Sequence, residues 1–592
     1  MHHRVSPKAL FAAGLLATLI GASHARAQVV PDAPPERPSG WTVKQPVKAS
    51  RQIIATANPL ATEAGYRILK QGGTAIDAAI AAQMVLNLVE PQSSGIGGGA
   101  FIVHYQKHGD RLEAYDGRET APAAATPDRF LDAAGKPMTF REAVVGGKSV
   151  GVPGTLRVLE LAHKRQGKLK WARLFLPAIA LAERGFPVSP RLHLALAGET
   201  ALSGDPAAKA YFYRPDGTPL AVGTLLRNPE FAATLKRIAA EGPEAFYRGE
   251  IARDIVAKVR SHPTNPGDLT EGDLAAYRAK VRTPVCGPYR AYRVCGMPLP
   301  TSGGIAVLQM LGMLERFDLS RLEPTALLSV HLFAAAGSLA FADRNRYLAD
   351  PDFVTPPAGL LDRAYLAERS ALIRPERAFD SAEAGDPAAG TSSTPRKVAL
   401  ADDASLEFPS TSHLAIVDRY GNALSMTTTI EDAFGSRQMV RGFLLNNELT
   451  DFSMVPSEGG RPVANRVEAN KRPRSSMAPT IVFDRAGHVH AIVGSPGGSA
   501  IINYVAKTLL GMLDWKLDPQ RAIELPNVGS RNFGFVELEK GTAAEALEPK
   551  LRALGHDVRV SDHTSGLQAI ARLPHGWIGG ADPRREGAVL GD

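Results

Sequence analysis

Residues 408–436, FPSTSHLAIVDRYGNALSMTTTIEDAFGS, hold two strand-like runs around a short polar turn. Side chains alternate strictly along a strand, so the turn sets which residues meet across the pair. Closing the loop between Asp418 and Asn422 puts Thr411 opposite Thr429, with Cβ atoms ~5 Å apart. Two hydroxyls then face each other at the open end of a hairpin. Taken alone the run has a plain explanation, because Thr suits strands and Ser suits turns. The rest of the chain decides between the two readings.

The chain has 592 residues, of which 44% are hydrophobic and 22% charged, values ordinary for a soluble globular protein. That length allows several packed layers. The net charge of +8 comes from short basic clusters such as Lys471–Arg474, with no aromatic interleaving and no nucleic-acid reading motif. Nucleic acid is therefore not an expected partner.

At the start, His2, His3, Arg4 and Lys8 precede an apolar run from Ala9 to Ala22, and Ala25-Arg26-Ala27 follows. The pattern predicts a signal peptide over 1–27, cut before Gln28, with an apolar run too short for a span of ~20 residues. Export to the periplasm or beyond is expected. No later stretch is suited to span a bilayer.

Asn58-Pro59 predicts a capped helix up to Gln71, stopped by Gly72-Gly73. Thr74 and Asp77 predict a capping box and a second helix, with Ile76, Ile80, Met84 and Leu88 along one face. The glycines in PQSSGIGGGAFIVHY lead into a strand and not into a helix, which argues against a phosphate loop. Close approach of another chain segment explains them better. Residues 150–400 read as mostly helical, and 380–405 as a flexible surface segment.

The two cysteines lie in TPVCGPYRAYRVCGMP. With a turn at Tyr289–Tyr292, Cys286 and Cys295 face each other closely enough for a disulfide. The alternative is two small buried hydrophobes. C-x-x-C spacing is absent, so neither reading makes a redox site. Further on, HVHAIVGSPGGSAIINYVAKTLLGML predicts strand, glycine turn and helix. Backbone N–H groups around Gly497 and Gly498 would suit a developing oxyanion.

Seven motifs occur in order: NPLATEAGYRILKQGGTAIDAAIA, EPQSSGIGGGAF, YDGRETAPAAAT, TSHLAIVD, LLNNELTDFS, RPRSSMAPTIV and GSPGGSAII. In this combination the chain resembles the γ-glutamyltranspeptidases, which are N-terminal nucleophile hydrolases, over nearly its whole mature length. The resemblance implies an α+β fold, a four-layer αββα sandwich, and a precursor that cuts itself between Ser410 and Thr411. A large subunit, 28–410 with a flexible end at about 380–410, would pair with a small subunit, 411–592. Thr411 would become the nucleophile, its new α-amino group accepting the hydroxyl proton near neutral pH.

Other roles follow from the same resemblance. Thr429 would hold the nucleophile, and Gly497 and Gly498 would form the oxyanion turn. Arg118, Ser475 and Ser476 would grip the α-carboxylate of a γ-glutamyl group, while Glu448 and Asp451 would hold its ammonium. Read singly, these are a surface ion pair, turn caps and solvated carboxylates. Two departures stand out. Glu431 replaces the family's asparagine, and the stretch from Asp451 to Ser475 is short and lacks a gating Tyr, which predicts a more open pocket.

The implied reaction moves a γ-glutamyl group from glutathione or a similar amide to water, an amino acid or a peptide, without metal or other cofactor. A glutaryl-type β-lactam side-chain acylase is the alternative enzyme. An exported solute-binding protein that never matures is the alternative from another class.

Overall fold

The structure is a computed structural model that describes residues 39–379, 381–387, 399–405 and 407–592. The expected signal segment, most of the lead-in after it, and residues 380, 388–398 and 406 of the expected flexible segment lie outside the described residues.

Local chemistry starts the first two helices where expected. Asn58 caps Pro59–Lys70, its Oδ1 accepting from Leu60 N at 3.0 Å. Thr74 and Asp77 form a reciprocal capping box at the head of Ala75–Val89. This second helix differs from expectation in one respect: it is buried on every face, not along a single stripe. The helices Pro59–Lys70 and Trp171–Arg184 enclose it together with a sheet, so its alanines are contact surface too.

That sheet has seven strands in the order Ala588–Gly591, Ile53–Thr56, Ser412–Val417, Ala423–Thr429, Gly99–Gln106, Arg111–Gly117 and Lys280–Arg282. Every neighbouring pair is antiparallel. The hairpin 411–429 is central in it. Ser412 pairs with Thr428 and Val417 with Ala423, the predicted register, and Asp418 N closes the turn on Asn422 O at 3.1 Å.

A second antiparallel sheet of seven runs Val47–Ala49, Trp577–Ala581, Gln568–Arg572, Val489–Gly494, Thr480–Phe483, Tyr292–Gly296 and Val285–Tyr289. The two sheets pack face to face. Phe101, Val103, Ala415 and Val417 of the first share one apolar cluster with Ile481, Phe483, Ala491 and Val493 of the second. Intervening residues such as Ile102, Leu414 and Ile416 point the other way, into the cluster built on Ala75–Val89. Helices Gly303–Leu314 and Ile501–Leu513 cover the outer face of the second sheet. The result is helix, sheet, sheet, helix. With both faces covered, every residue of Ser412–Val417 and Ala423–Thr429 is buried.

Gly98 sits where one of these strands meets the next. A Cβ there would stand 2.0 Å from Thr429 O, so this glycine permits the close backbone approach expected of it. At the edge of the second sheet, Val285–Tyr289 and Tyr292–Gly296 form a hairpin that pairs Cys286 with Cys295, and the two are disulfide-bonded. Among the described residues no helix is long and apolar enough to cross a membrane.

Candidate active site

Alternation along the central strands turns Thr411 and Thr429 toward the second sheet, at one end of the sandwich. The two hydroxyls lie 3.2 Å apart. The Thr411 hydroxyl also meets the carbonyl oxygen of Ser410, the residue before it, and Thr429 donates to the same oxygen at 3.3 Å. Both sides of this peptide are anchored. Ser410 Oγ donates to Gln92 O at 2.6 Å, and Arg585 Nη1 donates to Thr411 O at 3.2 Å. A hydroxyl against the carbonyl of its own preceding peptide, with a second hydroxyl beside both, is an arrangement suited to acyl transfer.

A narrow cleft lies beside Thr411. Arg118, Thr429, Glu431, Glu448, Asp451, Ser475, Ser476 and Gly498 all line it, so residues from distant motifs converge. Gly498 opens the short turn that follows the strand Val489–Gly494 and precedes the helix Ile501–Leu513. Gly497 stands one residue back, outside the cleft lining and against the Tyr504 ring. Gly498 has φ of +55°, and a Cβ on it would lie 2.5 Å from Glu407 O. The chain entering Ser410 therefore runs directly over the glycine turn.

This entry segment covers the cleft while the Ser410–Thr411 bond is intact, and Thr411 is only 3% exposed. Glu407, Phe408 and Ser410 form part of the cleft wall. Phe408 is held by its ring against Phe140, with centroids 4.3 Å apart, and by its N–H donating to Glu431 at 3.3 Å.

Arg118, read singly as a surface ion pair, lies inside the cleft wall. In the uncut chain it is buried and ion-paired with both Glu448 and Asp451, while its Nε and Nη2 also donate to Pro473 O and Arg474 O at 3.1 and 2.8 Å. With little water present, the cation and the two acids satisfy one another.

One correction concerns Glu431, expected to continue the strand of Thr429 and share its face. The strand ends at Thr429. Glu431 has φ of +76°, and its N–H donates to Thr429 Oγ1 at 2.8 Å, which turns the chain out of the sheet. Its carboxylate still reaches the cleft, where Asn447 Nδ2 donates to it.

Acid crowds this site. Burial, and after it the neighbouring carboxylates, pushes the pKa of Glu431 well above the usual range. Burial likewise raises Glu448 and Asp451, against the opposing pull of Arg118. Glu119, beside Glu448 and fully buried, is raised by burial and then by that neighbour. Burial opposes the charge on Arg118, but Glu448 and Asp451 outweigh it and hold the guanidinium protonated. Four acids around one cation are not all ionised together.

Sequence reasoning missed several of these groups. Glu119 adjoins Arg118 in the motif and could have been weighed. Ser476 accepts from Arg344 at 2.8 Å, and Arg344 is ion-paired with Glu407. Nothing local to Arg344, within the helix Leu327–Tyr347, points to the cleft. Ser475 Oγ accepts from Met477 N at 3.1 Å, a turn role that leaves its hydroxyl proton available. Among the described residues no group of three or more His, Cys, Asp or Glu is disposed to hold a metal ion.

Two antiparallel sheets between helical layers, with a buried threonine entering a central strand, define the N-terminal nucleophile hydrolase fold. Within it the chain belongs to the γ-glutamyltranspeptidase family, a family of enzymes whose model matches residues 61–592. A glutathione hydrolase proenzyme of Bacillus subtilis (strain 168) is 39% identical over 545 residues, covering 91% of each chain. An acylase ACY 1 proenzyme of Pseudomonas sp. (strain SE83) is 37% identical over 548 residues, 91% of this chain and 93% of its own. The crystal structure of a cephalosporin acylase from Bacillus halodurans superposes with a TM-score of 0.80 at 29% identity, over 93% of this chain and 97% of its own.

Proposed function

We propose that this protein is an exported γ-glutamyl hydrolase and transferase that matures by cutting itself between Ser410 and Thr411. The observation that carries the reading is the contact of the Thr411 hydroxyl with the Ser410 carbonyl, in a cleft that also holds Thr429, Arg118, four acids and Gly498. In maturation, Thr411 Oγ1 attacks the Ser410 carbonyl carbon, and the bond from that carbon to Thr411 N breaks. An ester and an amine result, and water then hydrolyses the ester. Thr429, 3.3 Å from the carbonyl oxygen, is positioned to stabilise the charge that develops there.

Residues 28–410 and 411–592 then form the large and small subunits. The freed α-amino group takes the hydroxyl proton of Thr411, which attacks the γ-glutamyl amide of glutathione or a related donor. The acyl group passes to water, an amino acid or a peptide. Arg118, Ser475 and Ser476 serve the donor carboxylate, Glu431, Glu448 and Asp451 its ammonium, and Gly497 and Gly498 the oxyanion. The basic, apolar and A-x-A pattern of residues 1–27 supports export.

A denaturing gel with Thr411→Ala tests the whole sequence of events. The wild-type chain should give two bands and the variant one, with no turnover of γ-glutamyl anilide; a variant that still cleaves would mean an external protease does the work. A second reading, a glutaryl acylase, draws on the ACY 1 likeness and on Arg118 already neutralising Glu448 and Asp451. Glutaryl groups lack the ammonium, so relative rates on glutaryl and γ-glutamyl anilides decide between them.

A further inference from the structure

The edge strand Val47–Ala49 pairs antiparallel with Trp577–Ala581, Val47 opposite Gly579. This register lays residues 39–44 along the loop that follows Ala581. Thr42 N donates to Pro583 O at 2.9 Å, and Ser39 Oγ to Arg584 O at 3.4 Å. The Arg584 guanidinium carbon lies 4.9 Å from the centroid of the half-exposed Trp41 ring. Lys44 adds a charged tie, its Nζ donating to Arg585 O at 2.7 Å and also to Gly587 O. Burial pulls the pKa of Lys44 down to about 8, against the opposing pull of Asp582, Glu586 and Glu90. In so dry a place a charged donor holds its carbonyls more firmly than it would in water.

The loop under this strap carries Arg585, which is 1% exposed. Its side chain runs inward past Gly566, where a Cβ would stand 2.7 Å from Arg585 Cδ, and Nη1 donates to Thr411 O at 3.2 Å. Holding that carbonyl sets the peptide plane after Thr411, and with it the direction in which Thr411 Oγ1 and N point. The loop is fastened from a second side as well, Glu586 Oε1 accepting from Arg191 N at 2.9 Å. Neither the strap nor the loop lines the cleft. Lys44 therefore acts on the cleft only through Arg585 and Thr411. Under the proposed cut it belongs to the large subunit and Arg585 to the small one.

We infer that Lys44 and Arg585 are positioning residues for Thr411: the strap 39–44 pins the loop 583–587, and the loop aims the nucleophile for both the cut and turnover. The inference deepens the proposed function and rests on it. A lysine suits the pin, because one nitrogen with three rotatable donors can meet the carbonyls of residues 585 and 587 together.

The test is a double-mutant cycle on the full chain, with Lys44→Met, Arg585→Gln and the two together. Two rates are read: the appearance of the cut bands in a timed in vitro translation, and kcat on γ-glutamyl anilide for the matured fraction. Lys44→Met should slow both roughly tenfold and change KM by less than about twofold, since it misaims a reacting group without touching substrate. In the Arg585→Gln background Lys44→Met should add almost nothing, because its effect passes through Arg585. Losses that simply add, a change in KM alone, or no change in either rate overturns the inference. If Lys44→Met does not fold, Lys44→Gln, a shorter neutral donor, decides by the same cycle. A Thr411→Ala chain that is still cut would defeat self-cleavage alone, and the kcat cycle then decides the positioning by itself. Should the wild type turn over only glutaryl anilide, the γ-glutamyl reading fails and the same kcat cycle is read on that donor.

Discussion

Arg118 lines the cleft and Arg344 bonds Glu407 and Ser476 of its wall; both are buried and both hold carboxylates, yet their partners belong to different parts of the chain. Glu448 and Asp451 lie in the short turn after the central hairpin, beyond the Ser410–Thr411 bond, and stay with the site after a cut. Glu407 lies before that bond, in the segment that enters the cleft wall. One arginine therefore pairs with acids beyond the proposed cut site, while the other pairs with an acid just before it. Similar buried ion pairs can thus cross the proposed cut site or stay on one side of it, and chain connectivity tells which.

The largest effect expected is that of Thr411→Ala, which removes the proposed cut. Activity should be lost entirely, and a denaturing gel should show one band. In this uncut background the contrast between the arginines can be broken next. Arg118→Gln strands two buried acids and should destabilise the chain by about 3–5 kcal/mol, read from urea midpoints. Arg344→Gln strands only Glu407, at the edge of a short segment, and should cost clearly less. Equal losses would mean that the two cations play the same structural part.

Glu431→Gln sharpens the comparison inside the acid cluster around Arg118. After maturation it should lower kcat/KM on γ-glutamyl anilide by roughly ten- to a hundredfold, one charge-assisted hydrogen bond, and leave glutaryl anilide unchanged. Equal loss on both donors would point to a structural role.

Stability against pH examines the same cluster in the uncut Thr411→Ala chain. Glu119, Glu431, Glu448 and Asp451 have folded-state pKa values raised above those of the unfolded chain. The folded state therefore binds more protons, and stability falls as pH rises above the ordinary carboxylate range of about 4 toward the raised values. Urea midpoints should accordingly be lower at pH 7.5 than at pH 5, and Glu431→Gln should flatten that slope. A midpoint that rises with pH would contradict the crowding of acids described above.

The smallest effect on activity belongs to Cys286→Ser with Cys295→Ser, at the sheet edge away from both arginines. Closing so short a loop is worth about 2–3 kcal/mol at most, so the melting temperature should drop while kcat/KM stays unchanged.

Much of the scaffold was legible in the residues. Asn58-Pro59 and Thr74 with Asp77 start helices through bonds made within three residues, and these formed as read. Both hairpin registers followed from a turn and strict alternation, which placed Thr411 against Thr429 and Cys286 against Cys295. The residues that would gather at the site were legible only through the resemblance, because Arg118, Glu448 and Ser476 lie hundreds of positions apart or in loops with no period. Reading Glu431 as a strand residue failed where alternation stops, at a backbone turn made by Thr429 and Asn447.

The sequence by itself thus determined which segments become helices and strands, the register of two hairpins and the family to which the chain belongs. These depend on neighbours in the chain or on ordered motifs. The tertiary structure alone decided that Arg118 answers Glu448 and Asp451, that Glu407 occupies Arg344 and Ser476, and that the cleft is closed before the cut. The physical reason is that a buried charge takes its partner from whatever folding brings within reach in a dry interior, and no local pattern encodes that choice.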